Sequence, residues 1–320
     1  MERRSLGASD ISVSVVGLGG NTFGPPRIDE AATVEVIHAA LDRGINFVDT
    51  AIVYGQGESE RYIATALKDR RDEMVVATKF HLMGLGDEKP ADRIRAHVDE
   101  SLTKLATDRI DLYQIHMPNA AVPAAEILGT LGDLVAAGKV REIGCSNYTS
   151  WRLVESCFEA DRLGMPRFAT VQNHYSLLNR QSEQELVSAC RTYGVGLIPY
   201  HPLAGGFLTG KYRKGEPPPP GTRGAAGSPI VTKMSNDRNW EIVSALEAWA
   251  ADHGHTVGEL AIAWLVANDV VTSVITGVSN VAQVEANAAG GAWELTAAEK
   301  AEVDALATTG LEEPIEPPAR

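Results

Sequence analysis

Four side chains of different chemistry follow short apolar stretches of the sequence, and they are Asp49, Tyr54, Lys79 and His116. An apolar run that reads as a buried strand precedes each of Asp49, Lys79 and His116, and Tyr54 comes five residues after Asp49. If these runs are parallel strands of one sheet, their carboxyl ends lie together at one edge. A carboxylate, a phenol, an ammonium and an imidazole would then share one site and could move a proton.

The four groups suit the protonation of a carbonyl oxygen. A tyrosine is a weak acid near neutral pH, because its ordinary pKa is about 10. A neighbouring ammonium stabilises the phenolate and brings the proton within reach of transfer. We expect Lys79 to supply that charge, Asp49 to keep Lys79 oriented and ionised, and His116 to bind the carbonyl oxygen. The set predicts proton delivery while a hydride reaches the carbonyl carbon.

An organic hydride donor is expected, because no residues with metal-ligand spacing compete and His253 and His255 are expected at the surface. The stretch 17–20 resembles the start of a dinucleotide-binding glycine fingerprint, but Thr22 occupies the third glycine position. The stretch 200–206 offers another mode of binding. Its tyrosine could stack on a nicotinamide ring, and its glycines and backbone amides could hold a pyrophosphate.

Other side chains are expected to complete a dinucleotide site. Gln172 and Asn147, near the ends of two further strands, are expected to hold a carboxamide group. Residues 201–238 carry six basic against two acidic side chains on a chain whose net charge is −13. We expect this basic segment to enclose the cofactor phosphates, with Lys211 and Arg223 as the candidate ligands.

Strands and helices alternate through the chain, which predicts a parallel sheet. Eight such units favour an α/β fold, the (β/α)8 TIM barrel, with a short N-terminal β-hairpin and extra C-terminal helices. We expect one domain over 1–320, a mobile cofactor-covering loop at 206–236 and a C-terminal tail at 308–320. The predicted strands are 15–20, 46–49, 74–79, 110–116, 140–146, 168–173, 195–200 and 272–277. The predicted helices are 30–43, 59–67, 91–105, 124–137, 150–163, 181–193, 239–252, 257–268 and 281–289.

Composition limits the class of protein. The 320 residues are 44% hydrophobic, which is ample for a large core. The acidic net charge disfavours nucleic acid and anionic membranes as partners, and no apolar run reaches the roughly 18 residues of a membrane helix. Three cysteines without metal-ligand spacing predict reduced thiols in the cytoplasm. A homo-oligomer is compatible with all of these features.

Several motifs occur together in the sequence, and they are 44–51 with Tyr54 and Gly55, 77–79, 111–116 with Pro118, 138–141, 144–147, Gln172 with 175–180, and 208–212. In these motifs the chain resembles the aldo-keto reductase family, from the N-terminal hairpin to the last barrel helix. The resemblance is nearer to bacterial reductases and potassium-channel β-subunits than to mammalian aldose reductases. It implies a catalytic tetrad of Asp49, Tyr54, Lys79 and His116, and NADPH (NADP⁺) bound at the barrel.

The resemblance also implies a set of cofactor-binding residues, at the barrel mouth and in a C-terminal motif. These are Gly20, Asn21, Asp49, Ser146, Asn147, Gln172, Tyr200, His201, Pro202, Leu203, Ala204, Gly205, Lys211, Arg223, Gly277, Ser279, Gln283 and Asn287. Many relatives carry Arg where Ser279 stands and Glu where Ala286 stands. The preference for NADPH over NADH therefore depends more on Lys211, Arg223 and Gln283.

Three functions remain open at this stage. The first is a reductase that converts an aldehyde or ketone to an alcohol, or catalyses the reverse oxidation. The second is a nicotinamide-bound regulatory or sensor subunit with little turnover. The third is a lyase with Lys79 as a Schiff-base amine, which a paired Asp49 would disfavour. The loops expected to shape the substrate pocket are 21–27, 81–90, 117–123 and 215–235. Their sequences do not identify the substrate, which could be a small aldehyde, a sugar, a keto sugar linked to a nucleotide or a xenobiotic ketone.

Overall fold

The N-terminus forms a small antiparallel hairpin that precedes the main sheet. A computed structural model describes residues 1–308, so the predicted tail lies outside the described residues except for Thr308. Strands β1 (Arg3–Ser5) and β2 (Ser12–Ser14) pair with Arg3 opposite Ser14. This is the hairpin that the sequence predicts.

Eight parallel strands then close into a barrel, which confirms the predicted (β/α)8 fold. Their order around the barrel is β10-β3-β4-β5-β6-β7-β8-β9, and β10 closes it by pairing with both β3 and β9. The strands are β3 (Val16–Gly19), β4 (Phe47–Asp49), β5 (Val75–Phe80), β6 (Ile110–Ile115), β7 (Val140–Ser146), β8 (Thr170–His174), β9 (Gly196–Tyr200) and β10 (Val274–Gly277).

Helices follow the strands and cover the outside of the barrel. They are α1 (Glu30–Asp42), α2 (Ser59–Leu67), α3 (Pro90–Lys104), α4 (Ala124–Ala136), α5 (Ser150–Leu163), α6 (Leu186–Tyr193), α7 (Pro229–Met234), α8 (Asp237–Asp252), α9 (Val257–Val266), α10 (Val281–Ala292) and α11 (Ala297–Thr308). Three of them lie between β9 and β10, and two follow β10. The last of these, α11, is among the extra C-terminal helices expected from the sequence.

Two predicted segments differ in the structure. The helix predicted over 181–193 is wrong at its start, where a 3₁₀ turn at Gln181–Glu183 precedes α6. The reason is that Glu183 accepts hydrogen bonds from Tyr175 and Arg180, while Glu185 leaves the helical region with φ −144° and ψ −38°. The loop predicted over 206–236 also contains regular structure, namely the end of a 3₁₀ turn at Ala204–Thr209 and helix α7.

The amino end of the barrel is sealed by apolar side chains. The hairpin contributes Leu6, Ile11 and Val13, which are buried against side chains from the barrel strands, namely Phe47, Ala77, Leu112, Ile198 and Ile275. At the carboxyl end the strands instead carry polar residues. Apolar side chains therefore close the amino end of the barrel, and the polar side chains that could take part in chemistry lie at the carboxyl end, as expected for this barrel architecture.

Candidate active site

A buried ion pair lies at the carboxyl end of the barrel. Lys79 Nζ on β5 donates to Asp49 Oδ2 on β4 at 2.6 Å and to the carbonyl oxygen of Thr50 at 2.8 Å. Lys79 is 0% exposed and Asp49 is 3% exposed. Two buried charges taken out of water are costly unless their partners satisfy them. Here two further strands supply those partners.

Two glutamines complete the surroundings of the carboxylate. The Nε2 atoms of Gln114 on β6 and Gln172 on β8 both donate to Asp49 Oδ1, at 3.0 and 2.9 Å. Strand register brings them there, because Lys79 lies opposite Gln114 and Ser146 lies opposite Gln172. The sequence analysis missed Gln114, although a polar residue within the apolar strand Ile110–Ile115 is a signal for it.

The ion pair fixes the charge of the lysine. Burial lowers the pKa of Lys79, but the negative charge of Asp49 and the neighbouring Tyr54 more than offset this effect. The pKa of Lys79 therefore lies above its usual value, and the ammonium is protonated at neutral pH.

Tyr54 and His116 lie above this pair. The hydroxyl oxygen of Tyr54 is 3.3 Å from His116 Nε2, and Lys79 Nζ is 5.1 Å from the centroid of the Tyr54 ring. Gly55 has φ 56°, and a Cβ atom there would lie 2.1 Å from the carbonyl oxygen of Phe23. Only glycine fits this turn, which holds the adjacent phenol in place. The structure thus brings the four predicted catalytic side chains together.

Burial acts on both the phenol and the imidazole. It raises the pKa of Tyr54 and outweighs Lys79, which lowers that pKa as the sequence analysis expected. Burial, assisted by Lys79, lowers the pKa of His116 from 6.5 to about 4. At neutral pH both groups are uncharged, so the phenol retains its proton and the imidazole can donate or accept a hydrogen bond.

A cavity of about 1200 Å³ opens beside these groups. Tyr54 and His116 line it, together with most of the predicted cofactor-binding residues. The latter are Asn21, Asp49, Ser146, Asn147, Gln172, Tyr200, His201, Pro202, Leu203, Gly205, Lys211, Arg223, Gly277, Ser279, Gln283 and Asn287.

Gly20 and Ala204 were also expected at the cofactor, but the structure does not place them on the cavity wall. Ala204 is fully buried at the start of the 3₁₀ turn. Gly20 is packed against Thr50 and the start of α2, where a Cβ atom would approach Ser59 Oγ at 2.9 Å. Both residues shape the backbone beside the cavity.

Tyr200 forms part of the cavity wall, and a hydrogen bond and a stacked ring hold its side chain in place. Tyr200 donates to Asn147 Oδ1 at 2.7 Å, and its ring stacks on His174 with centroids 5.5 Å apart. Asn147 Nδ2 donates in turn to the carbonyl oxygen of His116 at 2.9 Å. The Asn147 amide, expected to hold a carboxamide, is thus engaged within the protein and links Tyr200 to His116.

Three cations that line the cavity form no ion pair among residues 1–308, and they are Arg27, Lys211 and Arg223. Burial lowers the pKa of Arg223, and the positive charge of Arg27 lowers it further. The sequence analysis placed Arg27 in a loop that shapes the pocket, but it did not predict that Arg27 and Arg223 line the same cavity. Two guanidinium groups that line one cavity without an ion-pair partner are suited to an anionic ligand.

The start of α10 forms the far end of the cavity. Asn280 caps this helix by accepting from the backbone nitrogen of Gln283 at 3.0 Å. Gln283 Oε1 accepts in turn from the backbone nitrogen of Ser279 at 2.7 Å. The Nδ2 atom of Asn287 is buried without a partner among the described residues and lines the same cavity. A helix amino terminus with a free amide donor suits an anionic group.

The neutral histidines predict a pH dependence of stability. Burial, with His174 and Arg223, lowers the pKa of His201 from 6.5 to about 4, so the unfolded chain binds more protons between these values. The free energy of unfolding should therefore fall as the pH is lowered from about 6.5 to about 4. In the variant His201→Asn, the free energy of unfolding should fall less over this pH range. Asparagine is chosen because it tolerates the positive φ of 55° at this position.

Urea unfolding at a series of pH values measures this difference. The same replacement at His253, which is exposed and does not line the cavity, is the control for the loss of a histidine. An unchanged slope in His201→Asn would mean that His201 takes up its proton equally well in the folded chain.

Comparisons with known proteins identify the family. The model of the aldo/keto reductase family matches residues 15–308. The chain is 34% identical over 301 residues to the uncharacterized oxidoreductase YrpG of Bacillus subtilis, with 89% of each chain covered. It is 32% identical over 340 residues to protein tas of Escherichia coli, with 96% of this chain and 97% of the relative covered.

A rice protein named "Probable voltage-gated potassium channel subunit beta" is 32% identical over 299 residues, with 90% of each chain covered. Within residues 1–308, helices long and apolar enough to cross a membrane are absent. The family generally uses NAD(P)H, and its match covers nearly the whole described barrel. The chain is therefore an oxidoreductase that belongs to the aldo/keto reductase family.

Proposed function

We propose that this protein reduces an aldehyde or ketone to an alcohol with NADPH, and that Tyr54 donates the proton. The observation that carries the proposal is the buried pair of Lys79 and Asp49 beneath the Tyr54 ring. A fully buried ammonium is rare and is expensive to maintain for structure alone. The Lys79 ammonium lies 5.1 Å from the centre of the Tyr54 ring, and Tyr54 lines the cavity. This position suits a charge that assists proton transfer from the Tyr54 hydroxyl.

The residues present fit an NADPH molecule. The cavity volume suits a large ligand, and its wall carries cations that form no ion pair among residues 1–308, the amino end of α10 and the orphaned amide of Asn287. We propose that Arg223 and Lys211 bind phosphate groups and that Tyr200 lies against the nicotinamide ring. When bound, NADPH would supply the hydride that reaches the carbonyl carbon.

The chain's own residues supply the proton and orient the substrate. A carbonyl oxygen that accepts from both Tyr54 Oη and His116 Nε2 would lie beside the two groups, which are 3.3 Å apart. As negative charge develops on that oxygen, the O–H bond of Tyr54 breaks and its proton passes to the substrate. The Lys79 ammonium stabilises the phenolate left behind, and Asp49 holds Lys79 in position.

The proton donor is protected against loss of its proton before the substrate arrives. Because burial raises the pKa of Tyr54, the phenol stays protonated across the neutral range. Lys79 opposes that rise, so the phenolate is stabilised by a charge already in place when the reaction needs it. The neutral imidazole of His116 adds a hydrogen bond without adding a competing acid.

We also propose that the protein works in the cytoplasm on a small-molecule carbonyl compound. The three cysteines, Cys145, Cys157 and Cys190, are free and buried, and an unpaired set of thiols is typical of a reducing compartment.

A regulatory or sensor role is the second candidate. The similarity to proteins named as potassium channel β-subunits favours it. In that case, steady-state turnover would be far slower than exchange of the bound nicotinamide. The lyase alternative has less support, because Lys79 donates to two oxygen atoms and its raised pKa keeps it from acting as a free amine.

Removal of one oxygen atom tests the role of Tyr54. Tyr54→Phe should lower kcat by at least a hundredfold, as expected for the loss of a general acid. Binding of NADPH, measured by its fluorescence, should change by less than threefold. Tyr193→Phe on α6 removes a hydroxyl far from the cavity and is the control. Equal losses of turnover and cofactor binding would contradict the proposed division of roles.

The cofactor preference can be tested at Arg223. Arg223→Met keeps most of the side chain's length but removes the charge, and a hydrogen bond to a charged group contributes about 1.5–3 kcal/mol. We therefore expect the Kd of NADPH to rise by roughly ten- to a hundredfold, and the Kd of NADH to rise less.

Calorimetric titration with both nucleotides measures this difference. Lys233→Met is the control, because this exposed lysine of α7 belongs to the same basic segment but does not line the cavity. Equal loss of affinity for the two nucleotides would show that Arg223 does not recognise the 2′-phosphate.

A further inference from the structure

Helix α2 carries a buried carboxyl group that the proposed mechanism does not use. Glu60, the second residue of this helix, is 1% exposed. Its Oε1 atom accepts from Thr78 Oγ1 of β5 at 2.6 Å. Because side chains alternate across a strand, Thr78 faces the helices outside the barrel, whereas the next residue, Lys79, faces the active site. Glu60 is therefore bound to β5 at the residue directly before the buried ammonium.

The preceding residue of α2 makes a similar contact at the other member of the ion pair. Ser59 Oγ lies 2.8 Å from Thr50 Oγ1 and donates to the carbonyl oxygen of Gly20 at 2.9 Å. Thr50 directly follows Asp49, and its carbonyl oxygen accepts from Lys79 Nζ. Two successive residues of the helix are thus bound beside the two members of the ion pair.

Helix α2 also begins close to the residue proposed as the proton donor. Tyr54 opens a 3₁₀ turn, Tyr54–Gly57, and Glu58 alone separates this turn from α2. A displacement of the first turn of α2 relative to β5 therefore moves Tyr54 as well. The 5.1 Å between Lys79 Nζ and the centre of the Tyr54 ring depends on where α2 lies against β5.

The carboxyl group of Glu60 is buried without an ion pair among residues 1–308. Burial raises the pKa of Glu60 and outweighs the hydroxyl groups of Thr78 and Ser101, which lower it. Lys104 of α3 lowers this pKa as well, but its ammonium pairs with Glu100 at 2.7 Å. Neither Glu60 Oε2 nor Ser101 Oγ has a hydrogen-bond partner among the described residues. A buried carboxyl group without an ion pair favours its neutral form, so Glu60 acts through its shape and its bond to Thr78.

We infer that Glu60 is a positioning residue for the proton donor. Its hydrogen bond to Thr78 fixes α2 against β5 and thereby sets the distance between Tyr54 and Lys79. This inference rests on the proposed reductase function and adds a residue that serves the same site. Glu60 does not line the cavity, so it acts through the position of α2. A misplacement of about 1 Å can lower the rate of an enzyme by about a hundredfold.

Three variants separate this role from a contribution to stability alone. Glu60→Gln keeps the shape and the acceptor atom, so kcat should fall by less than threefold. Glu60→Leu leaves the Thr78 hydroxyl without its acceptor, so stability and kcat should both fall. In the double variant Glu60→Leu/Thr78→Val both partners are apolar, which should restore most of the stability. Its kcat should nevertheless remain at least tenfold below the wild-type value, and a double variant with wild-type kcat would overturn the inference.

A matched control lies elsewhere on α2. Thr65 Oγ1 donates to Glu30 Oε1 of α1 at 2.6 Å, the same distance as in the bond to Glu60. This pair is exposed and does not line the cavity. The double variant Glu30→Leu/Thr65→Val loses the same type of hydrogen bond, and its kcat should stay within twofold of the wild type. A tenfold loss in the control would contradict a specific role for Glu60.

The pH profile of kcat/KM shows whether the lost activity comes from the position of the ammonium. The charged or titratable groups that face Tyr54 are Lys79, Asp49, His116 and Tyr200. Among these Lys79 lowers the pKa of Tyr54. If the ammonium lies farther from the phenol, this pKa rises, so the alkaline limb of the double variant at Glu60 should move to higher pH. A lower kcat with the limb at the wild-type position would overturn the inference.

Crystal structures of the wild type, Glu60→Gln and the double variant at Glu60 test the inference without a measurement of activity. The distance from Lys79 Nζ to the centre of the Tyr54 ring should stay near 5.1 Å in the first two. It should increase by about 1 Å in the double variant. If the protein reduces no carbonyl compound with NADPH, the proposed function is wrong, but this distance still reports on Glu60. An unchanged distance in the double variant would overturn the inference and leave the reductase function intact.

Discussion

The ion pair between Lys79 and Asp49 is the constraint on which the active-site end of the barrel depends. Neither charge is stable in a protein interior by itself, and each is satisfied by groups from other strands. Gln114 and Gln172 donate to Asp49 from β6 and β8, so four strands must hold their register for the pair to form. The same register brings Tyr54 and His116 to the cavity. Fold and chemistry are therefore specified by one set of contacts.

Much of this arrangement could be predicted from the sequence, because a parallel barrel brings all strand ends to one face. The positions of Asp49, Lys79 and His116 after apolar runs were sufficient to expect a shared site. The bounds of several helices were also predicted closely, as 150–163 was for α5, which ends before Gly164 in a left-handed conformation. These are local patterns, and local patterns are what a single sequence reveals.

The rest depends on contacts between distant residues. Arg27 and Arg223 are 196 positions apart, and no spacing in the sequence indicates that they face one cavity. The start of α6 was predicted wrongly because Glu183 is held by Tyr175 and Arg180, a contact that helical periodicity does not show. The direction in which the pKa of Tyr54 shifts could not be predicted from the sequence either. It depends on whether burial, which raises this pKa, outweighs the charge of Lys79, which lowers it.

The central claim is that the buried Lys79 charge makes Tyr54 an effective proton donor. The pH profile of kcat/KM for aldehyde reduction in Lys79→Met, compared with the wild type, tests it most directly. Because the ammonium lowers the pKa of Tyr54, its removal should move the alkaline limb of the profile to higher pH and reduce the rate. Binding of NADPH should be largely retained. A reduced rate with an alkaline limb at the wild-type position would contradict the claim, because Lys79 would then act without changing the acidity of Tyr54.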